Sequence, residues 1–212
     1  MKPKNIVIID DHPVVVVSLQ ILLERNGYTV VGTADNGVDA LKVIKEKTPE
    51  LVILDIGIPH LDGFEVINRL KNIENPYRPR VLVLTAQPSE YFSIRCMQAG
   101  AAGFVSKQED LSTVVNALQA IRSGYSYFPD SDNTLWSHKQ GRQTEQDKLK
   151  TLSSREMMVL QQLAGGLSNK EIAESMFLSN KTISTYKSRL LTKLDAKNLV
   201  DLIEIAKRNN IK

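Results

Sequence analysis

Five short apolar runs in the first 125 residues, with helical patterns between them, constrain this chain more than any other feature. They lie at about 5–10, 29–33, 51–55, 80–85 and 103–106, and a helical pattern of roughly ten or more residues follows each. Runs such as Ile6-Val7-Ile8-Ile9 and Leu51-Val52-Ile53-Leu54 lack polar alternation, so they suit strands covered on both faces. Strand and helix in alternation build βα units and a parallel sheet. Pro13 at the start of the first helical pattern and Gly27 just past its end are the punctuation such a helix needs. Asp62 and Asp110 stand where they can cap the patterns carrying Phe64, Val66, Ile67 and Leu70, and Leu111, Val114, Val115, Leu118 and Ile121.

A parallel sheet gathers ligand groups at the carboxyl ends of its strands. Here those ends carry Asp10 and Asp11, then Asp55, Thr85 and Lys107. Acids, a hydroxyl and an ammonium together suit Mg²⁺ and a phosphoryl group. Asp55 is the expected nucleophile, because a carboxylate can take up a phosphoryl group as an aspartyl phosphate. Asp11, Asp55 and the Gly57 carbonyl would hold Mg²⁺ directly and Asp10 through water, while Lys107 and Thr85 would engage phosphoryl oxygens. Taken singly, each residue would be at home as a cap, a strand threonine or a solvated lysine. Their order, each ending a different apolar run, points to one site. Crowded carboxylates repel one another, so Mg²⁺ should stabilise the fold. His12 reads as a turn residue and Cys96, on an apolar face with Phe92, as an inert core thiol.

Charge is unevenly spread. Residues 1–125 hold 13 basic and 14 acidic side chains, residues 126–150 four of each, and residues 151–212 ten basic and six acidic. The excess lies where a domain touching a polyanion would have it. From Ser126 to Lys150 periodicity fades into polar sequence around Gly141, which reads as a flexible linker, with Trp136 expected to dock on a neighbouring surface. After Thr151 helical patterns alone remain, at about 153–165, 169–176, 180–194 and 198–209, with Ser179-Asn180 and Asn198 as caps of the last two. Ile172, Ala173 and Met176, then Leu178, then Ile183, Leu190, Leu191 and Leu194 give the apolar spacing of helix, tight turn, helix. The other faces of the 180–194 helix carry Lys181, Thr182, Ser184, Thr185, Lys187, Ser188, Arg189 and Lys193, without an acid. That mixture suits a DNA major groove: Ser184, Thr185, Lys187 and Ser188 nearest the bases, and Lys181, Thr182 and Lys193 on phosphates.

The lone Cys96 excludes an internal disulfide and fits a reducing compartment, the cytoplasm. No apolar run approaches the roughly 18 residues of a membrane span, and the amino terminus does not read as a signal peptide. On the first helix Val14, Val17 and Ile21 form a stripe turned away from Val15, Leu19, Leu22 and Leu23, which suggests a contact surface such as a dimer would use.

Ile8-Ile9-Asp10-Asp11-His12-Pro13, Leu54-Asp55-Ile56-Gly57-Ile58-Pro59 with Asp62-Gly63, Leu84-Thr85-Ala86 and Gly100-Ala101-Ala102-Gly103-Phe104-Val105-Ser106-Lys107 resemble the receiver domain of two-component response regulators, over residues 5–124. Leu152-Ser153-Ser154-Arg155-Glu156, Ser168-Asn169-Lys170-Glu171-Ile172-Ala173 and Ser179-Asn180-Lys181-Thr182-Ile183 resemble the LuxR-type helix-turn-helix of the NarL/FixJ regulators, over about 150–211. The junction Gly124-Tyr125-Ser126-Tyr127-Phe128-Pro129 and the tail Ala206-Lys207-Arg208-Asn209-Asn210 are most similar to the BvgA/EvgA branch, which controls virulence or stress genes.

The resemblance implies a flavodoxin-like, doubly wound five-stranded parallel sheet of order 2-1-3-4-5 over residues 1–125, a linker over 126–150 and an all-α four-helix domain over 151–212. It implies phosphorylation of Asp55 by a sensor histidine kinase, dependence on Mg²⁺, and coupling of Thr85 and Phe104, the latter at the switch-aromatic position, to the face around the fourth helix and fifth strand. Promoter DNA, a second copy in the active state and RNA polymerase are the implied partners, with no catalysis beyond the chain's own aspartyl phosphorylation and dephosphorylation. Three positions depart from the pattern: Gln108 follows the lysine where many receivers have proline, Gly57 lacks a side chain that often meets the phosphoryl group, and Tyr186 stands where many members have histidine. Two other readings stay open on sequence. A haloacid-dehalogenase-type phosphatase also uses Asp, Thr or Ser, Lys and Mg²⁺, but places its nucleophile after the first strand with a second Asp two positions on, where this chain has His12. A DNA-architecture protein with a decayed receiver is the other.

Overall fold

Each of the five apolar runs forms a strand in the computed structural model, which describes residues 4–73, 78–129 and 145–211. The strands are β1 (Asn5–Ile9), β2 (Thr29–Ala34), β3 (Leu51–Leu54), β4 (Arg80–Thr85) and β5 (Gly103–Ser106), all parallel in the order β2-β1-β3-β4-β5. Between them run α1 (Pro13–Arg25), α2 (Gly37–Lys47), α3 (Gly63–Leu70) and α4 (Ser89–Ala99), with α5 (Ser112–Arg122) after the last strand. The whole of β3 and residues Ile6 to Ile9 of β1 are buried, whereas β2 at the sheet edge is not. Burial on both faces is what the unbroken apolar runs encode.

The register lines up the strand ends. Ile9 pairs with Leu54, Leu54 with Val83, and Thr85 with Ser106. Asp10, Asp55, Thr85 and Lys107 therefore sit at one edge of the sheet. Asp62 caps α3 by accepting from the Glu65 amide at 2.9 Å, and Asp110 accepts from the Ser112 amide at 2.7 Å. Gly63 is required where α3 begins, since a Cβ there would fall 2.8 Å from the Asp55 carbonyl oxygen and 2.7 Å from the Ile56 Cα.

The chain divides into two compact units, residues 1–131 and 132–212. At both ends the expected linker over 126–150 is more ordered than its sequence suggests. Beyond α5 the backbone returns along β5: the Tyr127 amide donates to the Ala102 carbonyl at 3.0 Å, and the Tyr127 carbonyl accepts from the Phe104 amide at 2.7 Å. An open sheet edge leaves such groups unpaired, and this short segment satisfies them. Gly103 permits the approach, because a Cβ there would lie 2.8 Å from the Tyr127 oxygen. At the far end α6 (Glu145–Lys150) buries Leu149, with Lys148 paired to Asp195 and Arg208 to Glu145. A single apolar residue among charged ones gives no period to read. Trp136 lies outside the described residues.

The second unit continues with α7 (Ser154–Ala164), α8 (Asn169–Ser175), α9 (Asn180–Leu194) and α10 (Leu199–Arg208). Reciprocal Ser–Glu capping boxes open α7 (Ser153, Glu156) and α8 (Ser168, Glu171), while Ser179 caps α9 and Asn198 caps α10. Val159, Leu160, Ile172, Ile183, Leu190, Leu202 and Ala206 are fully buried between these helices. No described helix is long and apolar enough to cross a membrane.

Candidate functional site

At the strand ends the predicted residues converge. The Asp55 side chain, only 7% exposed, projects from the end of β3, and the Lys107 ammonium bridges its Oδ2 at 2.6 Å and Asp10 Oδ2 at 2.7 Å. Asp55 Oδ1 accepts from the Gly57 amide at 3.0 Å. Asp10 is almost fully buried, while Asp11 is exposed at the rim. Burial alone would lower the Lys107 pKa, but the facing carboxylates of Asp55 and Asp10 outweigh it and hold the ammonium above the ordinary lysine value. One cation cannot neutralise three carboxylates, so the site keeps a surplus of negative charge.

Carboxylate oxygens of Asp10, Asp11 and Asp55 and a ring nitrogen of His12 all lie within 4.8 Å of one another. A cluster this rich in oxygen, with surplus negative charge, fits a hard divalent cation. Thr85, 1% exposed, ends β4, and its carbonyl accepts from the Lys107 amide at 2.8 Å, which ties the two residues through the backbone. Phe104 is buried on β5 and lines a recess with Glu109, Tyr127, Phe128 and Pro129. Cys96 is buried, and desolvation pushes its thiol up to about 12, which leaves it unreactive. His12 stands beside the acidic pair, and its Nδ1 lies 2.8 Å from Asp11 Oδ1 and 3.1 Å from Asp10 Oδ1. Only its place next to the acidic pair could have signalled this.

In the second unit α9 turns Ile183, Leu190 and Leu194 into the core. Spacings of four, three and four residues bring Lys181, Thr185, Ser188 and Thr192 onto the opposite face, all exposed, with exposed Ser184 and Arg189 flanking. The hydroxyls of Ser184, Thr185, Ser188 and Thr192 each donate to the carbonyl four residues back, and Ser184 Oγ also accepts from the Asn169 side-chain amide at 3.3 Å. Ser179, Lys181, Thr182, Thr185, Tyr186 and Arg189 line a shallow recess of about 380 Å³ on this face.

Two of the predicted DNA contacts sit differently. Lys187 is half-buried beside the core stripe, away from the centre of the exposed face. Lys193, expected on phosphates, is bonded at 2.7 Å to Glu156 Oε2, whose side chain is 4% exposed. Nothing in the apolar spacing points to Glu156, and its partner lies 37 residues away. Tyr186 and Arg189, which were not among the expected DNA contacts, also line the recess.

Comparison with known proteins gives concordant matches. The response regulator receiver domain family matches residues 6–119, and the luxR family of bacterial regulatory proteins matches residues 150–206. BvgA of Bordetella pertussis, a positive transcription regulator of virulence factors, is 54% identical over 209 residues, covering 98% of each chain. EvgA of Escherichia coli K12, a DNA-binding transcriptional activator, is 37% identical over 207 residues, covering 98% of this chain and 99% of EvgA. Among solved structures, the RcsB response regulator of Salmonella typhimurium superimposes with a TM-score of 0.71 at 26% identity over 98% of both chains. A complex of RcsB with DNA gives 0.68 at 25% identity, over 96% of this chain and 98% of that one.

Proposed function

This chain belongs to the response regulator family, as a receiver joined to a LuxR-type DNA-binding domain, and on that premise we propose that phosphorylation of Asp55 by a sensor histidine kinase switches its grip on promoter DNA. One observation carries the reading: a buried carboxylate, oriented by Lys107 and the Gly57 amide, stands in a cluster with more negative charge than its lysine can balance. In the step itself an Asp55 oxygen attacks phosphorus, the P–N bond of a phosphohistidine donor breaks, and the leaving imidazole takes up a proton. Lys107 then releases Asp55 to pair with a phosphoryl oxygen, and the Thr85 hydroxyl hydrogen-bonds another. Mg²⁺, held by Asp11, Asp55 and the Gly57 carbonyl with Asp10 behind, would neutralise charge on the transferring oxygens. Incubation with acetyl phosphate and Mg²⁺ should add one phosphoryl group by intact-mass measurement, and Asp55→Asn should add none; equal uptake by the variant would refute the assignment.

Thr85 ends the strand next to β5, and Phe104 meets Tyr127 through the backbone bond already described. A shift of Thr85 toward the phosphoryl group thus has a short path to the segment that leaves the receiver. On α1 Val14, Val17 and Ile21 are 79%, 53% and 47% exposed. Solved RcsB assemblies include dimers on DNA, and we assign this apolar stripe to self-association in the active state. Val17→Glu should lower dimerisation measured as molar mass by light scattering, without shifting the melting temperature; unchanged association with intact folding would sink the assignment. The exposed face of α9 reads DNA, with Ser184, Thr185 and Ser188 toward base edges and Lys181 and Thr182 toward phosphates. The division into residues 1–125, 126–150 and 151–212, cytoplasmic residence and contact with RNA polymerase belong to the same reading.

A further inference from the structure

We infer that Asn169 fixes the Ser184 hydroxyl as an acceptor in the major groove, so that Ser184 selects an amino base, adenine or cytosine, over a keto base, guanine or thymine. The inference rests on the reading of the α9 face as the surface that meets base edges. Helix α8 opens at Asn169, directly after the Ser168 of its capping box. Ile172 and Ala173 of α8 and Ile183 of α9 are buried together in the core, which holds the start of one helix against the flank of the other. There the half-buried Asn169 donates from its side-chain amide to Oγ of the exposed Ser184 at 3.3 Å.

A serine hydroxyl has one proton and two lone pairs. In Ser184 the proton goes to the Asn180 carbonyl at 3.1 Å and one lone pair takes the Asn169 amide. One lone pair remains for a ligand. Were the Asn169 amide turned over, its oxygen would take the same proton, and Ser184 would still present no donor outward. Thr185, Ser188 and Thr192 also donate to the carbonyl four residues back, but among the described residues none of the three has a second partner. Such a hydroxyl can swing its proton outward at the cost of one bond. Turning the Ser184 proton outward carries its lone pairs round with it and disturbs two. In the major groove adenine N6 and cytosine N4 donate, whereas guanine O6 and thymine O4 accept. A fixed acceptor therefore meets a donor on adenine or cytosine, and on guanine or thymine a second acceptor that repels it. Ser184 alone leaves adenine and cytosine undistinguished.

The test uses the full chain and duplexes that it selects from a random pool, with affinities for single-base variants measured at one salt concentration. The base facing Ser184 is the one whose discrimination Ser184→Ala removes. In the wild type it should be adenine or cytosine, and a keto base there should weaken binding by about tenfold. Replacing that adenine by purine, or that cytosine by 2-pyrimidinone, deletes the amino group and should cost the wild type about fivefold and Ser184→Ala nothing. Asn169→Ala should cut the amino preference to less than about threefold while affinity for unselected DNA and the melting temperature hold, and adding it to Ser184→Ala should change nothing further at that base. Asn169→Ser, which also falls short of Ser184, serves if the alanine variant melts early. A keto base at that position, a Ser184→Ala profile unchanged at every position, or an undiminished amino preference without the Asn169 amide overturns the inference. Failure of the wild type to bind any duplex overturns the DNA-binding reading itself, a separate result.

Discussion

Lys107 in the first unit and Lys193 in the second each hold a buried carboxylate at nearly the same distance: Lys107 reaches Asp55 at 2.6 Å, and Lys193 reaches Glu156 at 2.7 Å. Around Glu156 the charges balance. One acid meets one ammonium, the same Oε2 accepts from the Ser153 amide at 2.7 Å, and the capping box is complete. Around Asp55 the balance is open. Two carboxylates share one ammonium, the third stands close by, and an oxygen-rich cluster faces the rim. The same ion pair is a staple in one setting and a poised site in the other. Surplus charge and access make the difference, not the bond.

That contrast is breakable in order of expected effect. Removing a partner from the closed pair should cost most. Glu156→Ala loses the cap on the Ser153 amide and strands the Lys193 contact, and should destabilise the second unit by about 2 kcal/mol in chemical denaturation. Glu156→Gln keeps an acceptor and should cost about half as much. Burial alone would raise the Glu156 pKa, but the bonds from Lys193 and from the Ser153 amide and hydroxyl outweigh it, so the net direction is down. A depressed folded-state value means stability that is present above the unfolded pKa, near 4.5, and lost as pH falls through the folded one. The acid limb of the stability curve should therefore flatten in Glu156→Gln; an unchanged limb would remove this pair from acid denaturation.

Filling the open cluster comes next. Mg²⁺ at ten times its dissociation constant should stabilise the first unit by about 1.4 kcal/mol, seen as a rise in its melting temperature. Asp11→Asn should blunt that rise. A wild type indifferent to Mg²⁺ would mean that the surplus charge is balanced without a cation. The smallest effect belongs to the exposed face of α9. Lys181→Ala should weaken binding to all DNA sequences alike and reduce the salt slope by about 1. A loss confined to one base pair would make Lys181 a reader of sequence rather than an anchor.

Much of this was legible in the sequence because burial on both faces writes itself as unbroken apolar runs. Asp10, Asp55, Thr85 and Lys107 declare themselves by ending such runs, and the register then brings them together. The core stripe of α9 follows from spacing alone. What escaped has no period. Tyr127 pairs with β5 through backbone atoms, which any side chain would allow. The six residues of α6 offer a single buried apolar anchor, Leu149. The partnership of Lys193 with Glu156 depends on two helices meeting, and the direction of the His12 ring on its contacts with Asp10 and Asp11.

The most direct test of the switch is the affinity of full-length wild type and Asp55→Asn for a promoter fragment selected by the chain, each with and without a phosphoryl mimic and Mg²⁺. Control through Asp55 predicts that binding tightens in the wild type alone. The same tightening in the variant, or none in either chain, would contradict it.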